Sequence, residues 1–184
     1  MLESRDHQLI DPGILFSKVQ LRPQMHVADF GVGRTGHLVF PAAQMVGERG
    51  VVYAVDILKD VLESIRKRAE LERFVNIHTV WADIERSGSV AIPAASLDLI
   101  FLVNVMFHIS DYEAVLKEAL RVLKDKGRIV VVDWVKRLAN LGPALDKMVD
   151  FPRLSVLART CGCVVQDDFD VGSYHKALIL FRHS

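Results

Sequence analysis

The sequence predicts a three-layer α/β fold built on a mostly parallel sheet. Three observations carry that expectation. Strand-like apolar runs alternate with helical periodicity five times along the chain. The first run ends in a glycine-rich turn, His-Val-Ala-Asp-Phe-Gly-Val-Gly-Arg-Thr-Gly, from His26 to Gly36. The last two runs, Cys163 to Phe169 and Lys176 to Arg182, are joined by Asp-Val-Gly-Ser-Tyr-His with no helix between them, so they pair antiparallel. The earlier crossovers force parallel neighbours and right-handed connections.

The elements follow in order. Residues 9 to 21 carry Leu9, Ile10, Ile14, Leu15, Phe16, Val19 and Leu21 around Pro12-Gly13, which suits a short leading helix over the sheet. Leu21-Arg-Pro-Gln then turns into the first strand. After Gly36 the apolar residues Leu38, Phe40, Ala42, Ala43, Met45 and Val46 form a helix that ends at Gly47. Pro41 requires that helix to start late or kink. Val51 to Asp56 is a β-branched second strand. Leu58, Val61, Leu62, Ile65 and Ala69 recur at helical spacing, with Lys59, Arg66, Lys67 and Arg68 on the solvated side. Asn76 to Val80 is the third strand. Ser96 to Asn104 is the fourth, and its nearly continuous apolar run predicts burial on both faces. Ser110-Asp-Tyr-Glu113 reads as a capping box. The helix behind it turns Val115, Leu116, Ala119, Leu120 and Leu123 inward and stops at Lys124, Lys126 and Gly127. Arg128 to Asp133 is the fifth strand. Asp150-Phe-Pro to Gly162 is a last helix with proline at its start and glycine past its end.

The chain has 184 residues, of which 51% are apolar and 25% charged, enough for one domain with a sizeable core. Residues 1–184 are read as a single domain, with 1–24 as a leading helix and turn. The 23 basic and 23 acidic side chains cancel, which argues against a dedicated nucleic-acid binder. No apolar run approaches a membrane span, and the start has no apolar signal core, so a cytoplasmic protein is expected. Cys161 and Cys163 are too few for a disulfide scaffold or a structural zinc site and are expected to be reduced. The seven histidines show no metal spacing, and no metal is expected.

The glycine-rich turn carries the functional signal. Gly31 and Gly33 lack a Cβ, can take positive φ and let a ligand approach the backbone. The helix behind them points free N–H groups at the same spot. Asp29 ends the strand, placed to hold a hydroxyl, an amine or a water. Asp56 ends the second strand about twenty residues after Gly36, where an acid on a neighbouring strand meets a ribose. Ligands of such sheets bind at the carboxyl ends of the strands. This spacing equally fits a dinucleotide fingerprint.

The ordered set of motifs resembles the class I S-adenosylmethionine-dependent methyltransferases, in particular the small methyltransferase-domain group related to ubiquinone/menaquinone-biosynthesis methyltransferases. Val27-Ala-Asp-Phe-Gly-Val-Gly resembles the first motif and Tyr53-Ala-Val-Asp the end of the second strand. Ala82-Asp83-Ile84 resembles the adenine-contacting loop. The stretch from Leu97 to Ile109 resembles the fourth strand with its active-site rim, and Leu120 to Asp133 the approach to the fifth. The resemblance covers residues 20 to 184. It implies a Rossmann-like three-layer sandwich whose seven-stranded, mostly parallel sheet has the order 3-2-1-4-5-7-6 with the last strand antiparallel. Thr35 stands where that family often has its third glycine, and Leu58 where it often has a capping Ser or Asp. The chain has no large inserted lid.

The resemblance implies S-adenosylmethionine as cofactor. Gly31 and Gly33 would lie beneath its methionine part with Asp29 nearby, and Gly36 counts with them on the same turn. Asp56 would accept the ribose hydroxyls, with Ile57 beside it. Asp83 and Ile84 would meet the adenine, and Asn104 the methionine amine and the methyl. Transfer in line to an O, N, S or C nucleophile of a small-molecule acceptor is the expected activity. His108 and His175 are the candidate bases, and Phe107, Trp134 and Tyr174 the candidate acceptor contacts, at the exits of the fourth and fifth strands and the last hairpin turn. His37 is expected to contact the loop backbone instead. The competing readings are an NAD(P)-dependent oxidoreductase, a non-catalytic cofactor- or partner-binding module, and an RNA methyltransferase.

Overall fold

The computed structural model describes residues 9–182. Seven strands, β1 (His26–Phe30), β2 (Val51–Asp56), β3 (Ile77–Trp81), β4 (Leu97–Val103), β5 (Leu123–Trp134), β6 (Cys163–Val171) and β7 (His175–Arg182), form one sheet. The order is β3-β2-β1-β4-β5-β7-β6. The pairs β1–β2, β2–β3, β1–β4 and β4–β5 are parallel, and β7 is antiparallel to both β5 and β6. β7 alone therefore runs against the other strands.

Helices α1 (Pro12–Val19), α2 (Val39–Val46) and α3 (Lys59–Leu71) cover one face, and α4 (Tyr112–Val122) and α5 (Phe151–Thr160) cover the other. The strand alternation explains the apolar run of β4. Leu99 and Phe101 join the core under α1–α3, whereas Ile100 and Leu102 join the core under α4 and α5.

Pro41 falls at the third position of α2, inside the first turn, where its missing N–H has no intrahelical partner to lose. Gly50, between α2 and β2, cannot carry a side chain, since a Cβ would lie 2.6 Å from Val46. Asn76 stands just before β3, not in it. Its buried amide donates to the carbonyls of Ala43 and Gly47, both at 2.9 Å, and so closes the end of α2.

Three local expectations are corrected. The cap of α4 is Asp111, whose Oδ1 accepts from Ala114 N at 3.0 Å, and not Ser110. That helix also ends earlier than its charge pattern suggests, at Val122. Leu123 already pairs with Leu97, so Lys124 to Gly127 belong to an irregular start of β5. Leu120 is half-buried, and the side chains that α4 turns inward are Val115, Leu116, Glu118, Ala119 and Val122. The Glu118 carboxylate is buried, accepts from Gly88 N (2.8 Å) and Val90 N (3.0 Å), and pairs with Arg121 at 2.8 Å.

Candidate functional site

The carboxyl ends of β1, β2, β3 and β4 frame a cleft of about 500 Å3. Its floor is the turn after β1. Gly31 N and Val32 N both donate to Val55 O, at 2.8 and 3.1 Å, which ties that turn to β2. The three glycines of the turn have different tasks. A Cβ on Gly31 would lie 2.6 Å from Val105, so this glycine admits the loop after β4. Gly33 has φ +64° and open space where a Cβ would stand. It lines the cleft and leaves the backbone bare to a ligand. Gly36, at φ +57°, faces Phe40 and Ile65, 2.7 and 2.8 Å from its Cβ position. It is a packing residue and does not line the cleft.

Asp56 closes one side. Its Oδ2 accepts from Gly33 N at 3.2 Å and its Oδ1 from Leu58 N at 2.9 Å. A carboxylate has about four acceptor sites, so two remain for ligand hydroxyls. Ile57 and Leu58, both half exposed, continue this wall with Val61. The indole of Trp81 at the end of β3 donates to Ile57 O at 2.9 Å and fixes that loop from behind. Ala82, Asp83, Ile84 and Glu85 form the next wall, where Asp83 Oδ1 accepts from Glu85 N at 3.0 Å. Asn104, Val105, His108 and Ile109 form the last.

Two buried oxygens here have no partner among the described residues, Asp29 Oδ1 and Asn104 Oδ1. Asn104 leaves β4 at φ 53°, a conformation that asparagine tolerates better than most residues, and its own N–H donates to Val132 O at 2.8 Å. Asn104 thereby lines the cleft while its backbone N–H stays tied to β5. Asp29 is 4% exposed and lies behind the turn rather than on the cleft wall. Burial, and then the charge of Asp56, push its carboxyl up to about 7. A ligand donor reaching these oxygens would satisfy groups that are otherwise costly to bury.

A second cavity of about 730 Å3 adjoins the cleft. His108 and Ile109 line both spaces. Phe107 and Tyr112 stand on one side of this cavity, and Lys147, Met148 and Arg153 on the other. The Phe107 ring lies 3.9 Å from that of His108. The turn that carries them, the 3-10 segment Met106–His108, rests on Asp133. That buried carboxylate accepts from Trp134 N (2.8 Å) and Phe107 N (3.4 Å). Burial pushes it up to about 6 against the pull of these amides.

His175, Trp134 and Tyr174 are not brought to either space. His175 is 0% exposed because β7 begins at this residue rather than after it. In the antiparallel register it pairs with Trp134, and the two rings pack 4.2 Å apart. Neither ring nitrogen of His175 has a partner among the described residues, and burial pushes the imidazole down to about 4. Trp134 is capped by Gly142, whose Cβ position lies 3.0 Å from the indole. Tyr174 uses its carbonyl to accept from Val135 N at 2.9 Å. His37 bonds a backbone carbonyl at 2.8 Å, that of Ile10 ahead of α1, and not the glycine-rich loop beside it as expected.

Sequence reasoning passed over Arg34, Leu58, Val61, Glu85, Val105 and Ile109, all of which line the cleft. Each is a direct neighbour of a motif residue or one helical turn beyond it, which was the available signal. Asp133 had its own signal, an acid that ends an apolar strand.

The family model for the methyltransferase domain matches residues 21–170. The chain belongs to that family. Its relatives and its fold place it with the class I S-adenosylmethionine-dependent methyltransferases. It is similar to the aklanonic acid methyltransferase DauC of Streptomyces sp. strain C5, with 34% identity over 111 residues, covering 60% of this chain and 49% of that protein. It is 30% identical over 154 residues to the ubiquinone/menaquinone biosynthesis C-methyltransferase UbiE of Vibrio vulnificus, covering 83% of this chain and 56% of that one. This methyltransferase domain thus spans about half the length of those curated relatives. A SAM-dependent methyltransferase from Aquifex aeolicus superposes with TM-score 0.85 at 23% identity, over 94% of this chain and 90% of that one. A putative type 11 methyltransferase from Sulfolobus solfataricus superposes with TM-score 0.75 at 25% identity, over 96% and 95%.

Proposed function

We propose that this methyltransferase domain, taken as residues 1–184, binds S-adenosylmethionine in the cleft and transfers its methyl group to a small organic acceptor held in the adjoining cavity. The observation that carries the reading is the Gly33–Asp56 pair. A bare left-handed glycine faces open space, and the carboxylate beside it keeps acceptor sites free. That is the chemistry needed to seat a ribose against a backbone turn.

In this reading Asp56 accepts the ribose hydroxyls through charge-assisted hydrogen bonds. Ile57, Leu58, Val61 and Ile84 supply apolar surface that excludes water from the adenosyl part. Asp83 accepts from the adenine amine. Asn104 Oδ1 accepts from the amine of the methionine part, with Asp29 behind it. The bound cofactor supplies a methyl group already activated by its sulfonium, so the chain's task is alignment at about 3–3.5 Å and exclusion of water. His108, exposed where the two spaces meet, is the residue placed to take a proton from an acceptor that carries one. Phe107, Tyr112 and Met148 offer the acceptor apolar surface, and the charged lining is mixed, with Lys147 and Arg153 beside Asp111, Glu113, Asp146 and Asp150. His175 and Trp134 are assigned to packing. Two relatives of the chain, a ubiquinone/menaquinone biosynthesis C-methyltransferase and an aklanonic acid methyltransferase, are named for organic molecules rather than for a nucleic acid or a protein, which supports this reading.

Isothermal titration with S-adenosylhomocysteine and with NAD tests the reading. Micromolar binding of the former and none of the latter is expected. NAD binding without a response to S-adenosylhomocysteine overturns it.

A further inference from the structure

Glu85 links the two spaces in a way the family assignment does not account for. It sits in the loop after β3, half-buried, on the wall of the cleft. Its Oε2 accepts from two consecutive amides far away in sequence, Ser110 N at 2.9 Å and Asp111 N at 2.7 Å. These are the last two N–H groups before α4, so the carboxylate sits at the positive end of that helix and both bonds are charge-assisted. The helix already has its own cap in Asp111, which serves Ala114 N. Glu85 therefore adds a tie between loops rather than a missing cap.

The tie continues on the other side. Glu85 N donates to Asp83 Oδ1 at 3.0 Å. A chain of hydrogen bonds thus runs from Asp83 through Glu85 to Ser110 and Asp111. The first two of these residues line the cleft, and the last two line the adjoining cavity. The segment held at its far end begins with His108 and Ile109, which line both.

We propose that Glu85 is a positioning residue for methyl transfer. It locks the loop carrying His108 to the loop carrying Asp83, so that the cofactor cleft and the acceptor cavity are built as one unit. This rests on the proposed cofactor reading. Without the tie, the His108 segment keeps its own turn bonds, from His108 N to Val105 O and from Ile109 N to Met106 O, and Asp133 beneath it, but it loses its link to the Asp83 loop, so the cofactor has to order the two cleft walls against each other as it binds. The ordering cost then appears as lost affinity, although Glu85 itself need not touch the cofactor.

The test uses the full chain and S-adenosylhomocysteine as the probe, with Glu85→Ala, Glu85→Gln and Asp11→Ala compared by calorimetry well below their melting temperatures. Glu85→Ala is expected to weaken binding roughly 10-fold. Glu85→Gln, which keeps an acceptor oxygen for the two amides, is expected to restore most of that loss. Asp11→Ala removes a helix cap from α1, at a residue that lines neither space, and controls for a general loss of stability. It is expected to lower the melting temperature and leave affinity at the wild-type level. Wild-type affinity in Glu85→Ala, or equal weakening in Glu85→Ala and Asp11→Ala, overturns the positioning role. If Glu85→Ala does not fold, Glu85→Gln decides: affinity more than about 10-fold below wild type contradicts the tie, and a near-normal value supports it. Failure of the wild-type chain to bind the probe overturns the cofactor reading itself, and the tie with it.

Discussion

Replacement of Gly33 by valine separates binding from folding. At Gly33 the φ of +64° costs a residue with a Cβ about 1–2 kcal/mol. Among the described residues no atom beyond the chain neighbours lies within 4 Å of the new Cβ, so the Cβ itself adds no clash. For a chain of this size that loss lowers the melting temperature by roughly 2–8 °C, and the protein still folds. The valine side chain instead stands in the cleft of about 500 Å3, on the turn where the ligand needs bare backbone. Affinity for S-adenosylhomocysteine should fall by roughly 100-fold or more. Gly36→Ala is the counterpart. Its added methyl meets Phe40 and Ile65 at 2.7 and 2.8 Å, so the loss appears as about 1–3 kcal/mol of stability. Circular dichroism melts and calorimetry on the two variants make the comparison. A Gly33→Val chain that binds within threefold of wild type refutes the reasoning, because the ligand then does not lie on this turn.

Asp56→Ala should weaken S-adenosylhomocysteine binding by about 1.5–3 kcal/mol, or roughly 10- to 150-fold, through loss of two charge-assisted bonds. The fold should survive, and unchanged affinity in titration would make Asp56 a structural acid only. Stability should also respond to pH with a sign set by the buried groups. Asp29, pushed up to about 7, keeps in the folded chain a proton that the unfolded chain releases near 4, so its contribution falls as pH rises from about 4 to 7. Asp133, pushed up to about 6, acts the same way between about 4 and 6. His175, pushed down to about 4, refuses a proton that the unfolded chain takes near 6.5, so its contribution is lost as pH falls through that window. Urea melts should therefore show Asp29→Asn gaining on wild type from pH 4 to 7, and His175→Phe gaining on wild type from pH 6.5 to 4. Stability curves that stay parallel to wild type contradict these assignments.

The layering and strand order were legible because each element announces its period. β4 is apolar apart from Asp98, α3 repeats at three and four, and the closing strands have no helix between them. The family resemblance, carried by the ordered motifs around Asp29, Asp56, Asp83 and Asn104, agrees with the family match and the strand order. What sequence could not supply was register and depth. Whether His175 ends a turn or begins a strand is a one-residue question, and its answer buries the ring on Trp134. The stop at Gly127 looked like the end of α4, yet a Cβ there would lie 2.6 Å from Leu123, which has already joined the sheet. Gly33 and Gly36 are three residues apart and identical in type, and only the packing of Phe40 and Ile65 tells them apart. The Glu85 tie spans 25 residues and rests on side-chain geometry that no local pattern encodes.

The central claim is that the cleft seats a methyl donor whose reactive end opens toward His108. A crystal structure of the chain with S-adenosylhomocysteine tests it most directly. The account predicts the ribose hydroxyls on Asp56, the sulfur beside Asn104, and an open path from the sulfur to the cavity shared by His108 and Ile109. A sulfur that faces packed core, or a ligand that opens onto the amino ends of the strands, would contradict it.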